Sequence, residues 1–350
     1  MIVRLKDIAR DLGVSAVTVS KAMHDRPDVS EATKKRVRAR MAELNYRPNL
    51  AARGLITGQS YTLGLIVPDL VHAFFSELAM GLSAILRKNG YGLILSSSEE
   101  EPEIEKEEIE QMLARRVDAL IIASCQTDPM QLESVEKRGT PYILVDRKFE
   151  HHGCNFVGND DELVGEVATC HLIELGRRRI AHIAGPEAGA STAKGRCDGF
   201  RRAMARHHRE VSDEYIVAMQ TGDVAAHVAG RYAMQHLLAL KHRPDAVFCY
   251  NDPGAVGAIQ AILDAGLRIP EDIAVVGCGN LPYSPYLRVP LTSVDQASQR
   301  LGEKAGELAL LHIRSKRTLQ SKSILLPPKL IVRESTIGLK VSGSIQRASN

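Results

Sequence analysis

The sequence predicts a small three-helix head followed by a two-lobed α/β core built on parallel sheets. Three observations carry that prediction. Two short helical stretches joined by a glycine turn open the chain. From Tyr61 onward, short apolar runs alternate with amphipathic stretches. The 350 residues also exceed a typical single domain. Charge divides along the same line. The formal net charge is only +3, yet residues 1–60 hold 12 Lys/Arg against 6 Asp/Glu, so that segment is +6 and the remainder sums to −3. A basic head on a near-neutral body is the electrostatic footprint of a nucleic-acid partner. A solvated basic face gives the same numbers, so the helices must decide.

Lys6 to Leu12 reads as a first helix, with Ile8 and Leu12 on one face. Gly13 tolerates the positive φ that ends it. Ser15 can cap a second helix by accepting from a free backbone N–H. There Val19, Ala22 and Met23 should pack on Ile8 and Leu12, while Ala16, Val17, Ser20 and Lys21 face outward. Two short helices around a glycine turn form a helix-turn-helix pattern, and a small outer face with one charge suits a major groove. On these residues alone a plain helical hairpin remains open. After the loop "HDRPDVS", Ser30 can cap a third helix, "EATKKRVRARMAELN", whose Val37, Met41 and Leu44 share one face and whose other face is basic. Pro48 disfavours helix at Arg47. "LAARGLITGQS" then reads as a linker, because Gly54 costs a helix ~1 kcal/mol relative to alanine.

The core follows as "TLGLIVPD", an amphipathic stretch from Phe74 to Asn89, "YGLILSSS", and "PEIEKEEIEQMLARR" with Pro102 in its first turn. "VDALIIAS", "PYILVD", "IAHIAG", "DAVFCYN" and "IAVVGCG" are further strands between helical stretches. Such alternation gives parallel sheets covered on both faces, with ligands beyond the carboxyl ends of the strands. The strands are too many for one comfortable sheet, so two lobes with a cleft between them are expected. The acidic run Glu99–Glu110 reads as a solvated helix face, and the tail "LKVSGSIQRASN" as disordered. Six scattered cysteines with no C-x-x-C pair predict neither zinc nor a disulfide framework, and fit a reducing compartment. No secretory h-region and no apolar run near ~18 residues is present, so no membrane partner is expected. The adjacent pairs His151–His152 and His207–His208 read as surface residues, and no metal or other cofactor is expected.

On these residues the chain resembles the lactose-repressor (LacI/GalR) family of bacterial transcription regulators. The resemblance rests on "LKDIARDLGVSAVTVSKAMHDRPDVSEATKKRVRARMAELNYRPNLAARGL" and then, in order, "LGLIVPD", "FF", "YILVDR", "GRRRIAHIAGP", "RCDGFRRAM", "FCYNDPGAVGAIQAI", "IAVVGCGN" and "VPLTSVDQ". It implies a helix-turn-helix headpiece over 1–48, a hinge over 49–60, and a core over 61–338 like periplasmic sugar-binding proteins. The first lobe would take about 61–160 and 293–325, and the second about 161–292 and 326–338, before the tail at 339–350. It further implies a cytoplasmic repressor that binds a palindromic operator in double-stranded DNA as a homodimer or a dimer of dimers, under control of a sugar or sugar derivative.

Residue by residue, Ser15, Thr18 and Ser20 match positions that touch phosphate. Ala16, Val17 and Lys21 match base-reading positions. Leu55 matches a minor-groove wedge, with Arg53 beside it at the phosphates or the groove. Asp69, Phe74, Phe75, Asp146, Arg196, Asn251 and Asp252 match effector contacts. The chain departs from the family pattern in four places. Arg4 stands where Ser or Thr normally caps the first helix, which should cost the headpiece ~1 kcal/mol. Gly279 replaces a sugar-binding aspartate, with the amide of Asn280 as its substitute. The stretch "TGDVAAHVAG" is one residue longer than usual, and Val224 replaces an aromatic. Two other functions share parts of this pattern. A solute-binding protein of a sugar transporter would have the core but no use for a basic head. An α/β enzyme would need a motif such as G-x-S-x-G, a Walker loop, H-E-x-x-H or G-x-G-x-x-G, and none is present.

Overall fold

The computed structural model describes residues 3–23, 25–46, 54, 58–149, 153–186, 191–315, 317 and 319–338. The chain divides into two compact units, residues 1–61 and 62–350. Most of the expected hinge, including Arg53 and Leu55, lies outside the described residues, as do His151, His152 and the tail.

In the first unit, α1 (Leu5–Leu12), α2 (Ala16–Met23) and α3 (Glu31–Glu43) enclose a core of Ile8, Ala9, Val19, Ala22, Val29 and Val37. Leu12, Met23, Met41 and Leu44 pack against it. Gly13 ends α1 at φ 66°. Ser15 Oγ accepts from the Thr18 N–H at 3.0 Å, and Ser30 Oγ accepts from the Thr33 N–H at 3.3 Å, so both expected caps form. The α1 start differs from the expectation. Arg4 offers no side-chain cap, but the Asp7 carboxylate reaches back to accept the Arg4 N–H at 2.9 Å. Val3 and Ile8 both join the apolar core, which places a hydrophobic pair across the helix start. The missing hydroxyl is therefore partly compensated.

The second unit contains two six-stranded sheets. The strands are β1 (Thr62–Val67), β2 (Gly92–Ser97), β3 (Ala119–Ile122), β4 (Tyr142–Val145), β5 (Phe156–Asn159), β6 (Ile180–Ala184), β7 (Ile216–Ala218), β8 (Ala246–Cys249), β9 (Ala274–Gly279), β10 (Thr292–Asp295), β11 (Ser323–Leu326) and β12 (Lys329–Ile331). The first sheet runs β11-β5-β4-β3-β1-β2, and the second β12-β10-β9-β8-β6-β7. Every pairing is parallel except β12, which runs antiparallel to β10. Central strands such as β3, β8 and β9 are buried along their whole length, as continuous apolar runs covered on both faces must be. The expected lobe boundary shifts slightly. Ser293 to Asp295 pair with β9 and belong to the second sheet, so the return to the first lobe comes after β10 rather than at 293.

The covering helices are α4 (Ala73–Lys88), α5 (Pro102–Ala114), α6 (Glu133–Lys137), α7 (Asp161–Glu174), α8 (Ser191–Arg206), α9 (Ala226–Leu238), α10 (Asp252–Asp264) and α11 (Ser298–Arg314). α4 packs on α11, α7 on α8, and α9 on α10. The acidic run is not wholly solvated. Glu105 on α5 is fully buried, where its carboxylate accepts from Ser124 Oγ and the Cys125 N–H, both at 2.6 Å. Among the described residues, no helix is long and apolar enough to cross a membrane.

Candidate DNA-reading face and effector cleft

The outer face of α2 is small and open. Val17 is 64% exposed, whereas Ala16 is partly packed against the headpiece core. Ser15 and Thr18 share a hydroxyl contact at 2.8 Å, and Ser20 is partly buried. Lys21 forms an ion pair with Asp28 in the following loop, both side chains about half exposed. That carboxylate titrates below its usual range because it bonds to Lys21. The basic face of α3 is heavily committed within the unit. Lys34 binds Glu31 at 2.7 Å and Asp25 at 3.5 Å, Arg38 binds Asp25 at 2.6 Å, and Arg40 binds Asp11 at 2.5 Å and Glu43 at 2.8 Å. Arg36 donates to the Leu12 carbonyl at 3.1 Å, a bond that ties α3 to the turn after α1.

The cleft between the core lobes is built at the carboxyl ends of the strands. Asp146 directly follows β4, with φ 63°, and is buried. Burial pushes its carboxyl up to about 7, against the pull of Arg196. Arg196 on α8 is itself buried. It donates to Asp161 at 3.0 Å and to the Tyr250 carbonyl at 2.7 Å, and its guanidinium sits 4.7 Å from the Tyr250 ring centroid. Asn251 caps α10 by accepting from the Gly254 N–H at 2.9 Å, and its amide donates to the Gly222 carbonyl at 2.8 Å. Asp69 follows β1 and accepts from the Val71 N–H at 2.7 Å. Phe74 and Phe75 are buried edge-to-face, with centroids 5.1 Å apart. They share the first-lobe core with Leu281 and Tyr283 from the segment after β9, so they stand at the lobe junction.

Two expected effector contacts are otherwise engaged. Asp252 is fully buried and accepts from the Leu281 N–H at 2.9 Å, Ser284 Oγ at 2.7 Å and Ser293 Oγ at 2.6 Å. With three donors its carboxylate ties α10 to the segments after β9 and in β10. Asn280 accepts from Arg333 at 2.6 Å within the second lobe.

Four cleft residues escaped the sequence reading: His72, Glu100, Arg147 and Asp223. Arg147 is buried and bridges Glu100, at 3.1 Å, to Asp223 in the opposite lobe. His72 caps α4 through Nδ1, while its Nε2 lies 3.5 Å from Asp223. The available signal was position. Arg147 follows Asp146 directly, and Glu100 lies just beyond the carboxyl end of β2, where such sheets bind ligands.

A helix-turn-helix unit with an open face, and a two-lobed core with a polar cleft, define a DNA-binding regulator governed by a small molecule. Residues 4–49 match the bacterial regulatory proteins of the lacI family, and residues 169–336 match a periplasmic binding protein-like domain. The chain is 35% identical over 332 residues to the ribose operon repressor of Escherichia coli (strain K12), spanning 95% of this chain and 99% of that protein. A lac repressor dimer bound to operator and the anti-inducer ONPF superposes with a TM-score of 0.84 at 28% identity, covering 96% of this chain and 99% of that one. A LacI family regulator from Enterococcus faecium with bound ribose gives 0.70 at 29% identity, covering 80% and 100%. The chain belongs to the lacI family of bacterial regulatory proteins. It is a DNA-binding transcriptional regulator with an effector-binding core, and not an enzyme.

Proposed function

We propose that the chain is a cytoplasmic repressor that binds a palindromic operator as a homodimer and answers to a sugar or sugar derivative held between its lobes. The observation that carries the DNA half is the exposed Val17 and Lys21 face on a helix whose other side closes the headpiece core. Val17 and Ala16 offer thymine methyls an apolar contact, and Lys21 offers guanine a donor. Ser15, Thr18 and Ser20 fall to the phosphates, with Arg53 and Leu55 at the minor groove. One short recognition helix covers too few base pairs for specificity, which calls for two half-sites.

For the effector, Asp146, Arg196 and Asn251 supply acceptors and donors within one buried cleft, with Asp69 near its edge and Phe74 and Phe75 behind it. A cleft rich in both donors and acceptors suits a ligand dense in hydroxyl groups. A repressor role is supported by the ribose operon repressor, and a sugar effector by the ribose-bound relative. Genome-wide footprinting of the purified chain tests the reading. Protected palindromes beside sugar-handling genes are expected, and protection without two-fold symmetry overturns the homodimer reading.

A further inference from the structure

We propose that Glu100 is an interlobe latch, a carboxylate of the first lobe seated on a backbone nest of the second. Glu100 Oε2 accepts from the N–H groups of Gly222 at 3.2 Å and Val224 at 3.3 Å, and Oε1 accepts from the Asp223 N–H at 3.2 Å. Three successive backbone donors thus converge on one carboxylate, the arrangement by which a loop holds an anion. Arg147 binds the same Oε1 at 3.1 Å and grips the Asp223 side chain, so the carboxylate and its receptor are also clamped by charge. The Glu100 side chain is only 16% exposed. The nest is fixed from its own lobe, since Asn251 donates to the Gly222 carbonyl.

The backbone points the same way. Glu99 and Glu100 have φ of 54° and 60°, two consecutive side-chain-bearing residues in the left-handed region. Such a pair persists only where the surroundings enforce it, and here the reward is a carboxylate carried across the cleft. Aspartate is one methylene too short for this span. Glutamine keeps one acceptor oxygen but loses the charge that Arg147 and the nest require.

The lobes are therefore held together by the chain's own groups. A ligand shifts a two-state protein only by its differential affinity for the two states. Glu100 adds a constant term to that balance and sets where the lobe equilibrium stands before any effector acts. The inference depends on neither operator nor effector, so it stands or falls apart from the function proposed above.

Site-resolved amide exchange of the full chain, without added ligand, tests it. Two reporters are needed. The first is the Gly222–Val224 amides. The second is the Lys148 N–H, which crosses the cleft at a separate point to Ser191 Oγ at 3.0 Å. Glu100→Ala should speed exchange at both by about tenfold or more, and Glu100→Gln should fall between it and the unaltered chain. Unchanged exchange at Gly222–Val224 overturns the contact. Faster exchange there with Lys148 unchanged overturns the latch, because the carboxylate would then merely order a loop. Protection in β3 and β8 reports folding. Should Glu100→Ala lose it, the size-matched Glu100→Gln decides by the same two reporters.

Discussion

Of the three positions proposed to read bases only Lys21 is charged, yet its ammonium is engaged by Asp28. Both side chains are half exposed, so water and salt screen the pair, and a base edge can compete for the ammonium at little cost. Lys21→Ala should therefore reduce discrimination among single-base operator variants more than Lys35→Ala does, since Lys35 lies on α3, whose basic face can at most reach phosphate. Competition binding decides, and equal losses would displace α2 from the groove. A second residue tests burial instead. His182 is fully buried between Phe200 and Phe248, with ring centroids 5.3 and 4.7 Å away. Burial lowers its pKa to about 4 from 6.5. Between those values the unfolded chain takes up a proton that the folded chain refuses. Its contribution is complete above pH 6.5 and declines as pH falls toward 4, by up to ~3 kcal/mol. Urea unfolding of His182→Phe at pH 7 and pH 5 should show a smaller acid loss than the parent chain. Parallel losses would mean that other groups carry the acid sensitivity.

Helix pairs in the core approach through reciprocal glycines. A Cβ on Gly302 of α11 would lie 1.9 Å from the Leu78 carbonyl oxygen of α4, and one on Gly81 of α4 would lie 1.9 Å from the Gln299 oxygen of α11. These obstacles are backbone, so the helices must separate rather than a side chain swing aside. Gly302→Ala should cost about 1–3 kcal/mol or more in urea unfolding, although alanine is the better helix former. At the start of α1 the opposite change should help. Arg4→Ser supplies the absent hydroxyl to the first-turn N–H groups and should slow headpiece amide exchange by an amount worth ~1 kcal/mol, and no slowing would show that the start of α1 does not limit headpiece opening. What the sequence made legible follows the range of the interaction. The caps at Ser15 and Ser30, the Gly13 turn and the Val37–Met41–Leu44 face are set within a few residues and were read correctly. Arg147 meets Glu100 across 47 positions and Asp223 across 76. No local pattern encodes such a meeting, so an acidic run that looked solvated hid both the Glu100 contact and the buried Glu105. The three donors to Asp252 were illegible for a related reason, because they arrive from segments 29 to 41 positions away.

At the scale of the whole molecule, the basic head has two kinds of positive charge. Lys34, Arg38 and Arg40 neutralise acids of their own unit, and Lys34 is buried. Lys35 is exposed on the same helix. Binding DNA releases counterions only where protein charge replaces them at phosphates, with a slope near −0.9 in log K against log salt for each phosphate neutralised. A charge already balanced within the protein contributes little to that slope, so it should be well below what 12 Lys/Arg per head would give. The two lysines then separate structure from steering. Lys35→Ala should flatten the salt dependence by about 0.9 per bound headpiece while leaving thermal stability unchanged. Lys34→Ala should leave the slope alone and lower the headpiece melting temperature, because Glu31 and Asp25 lose their shared partner. Operator titrations at several salt concentrations, paired with thermal melts, read both quantities. A reversed pattern, with Lys34 setting the slope, would mean that α3 turns its inner face toward the phosphates when DNA is bound.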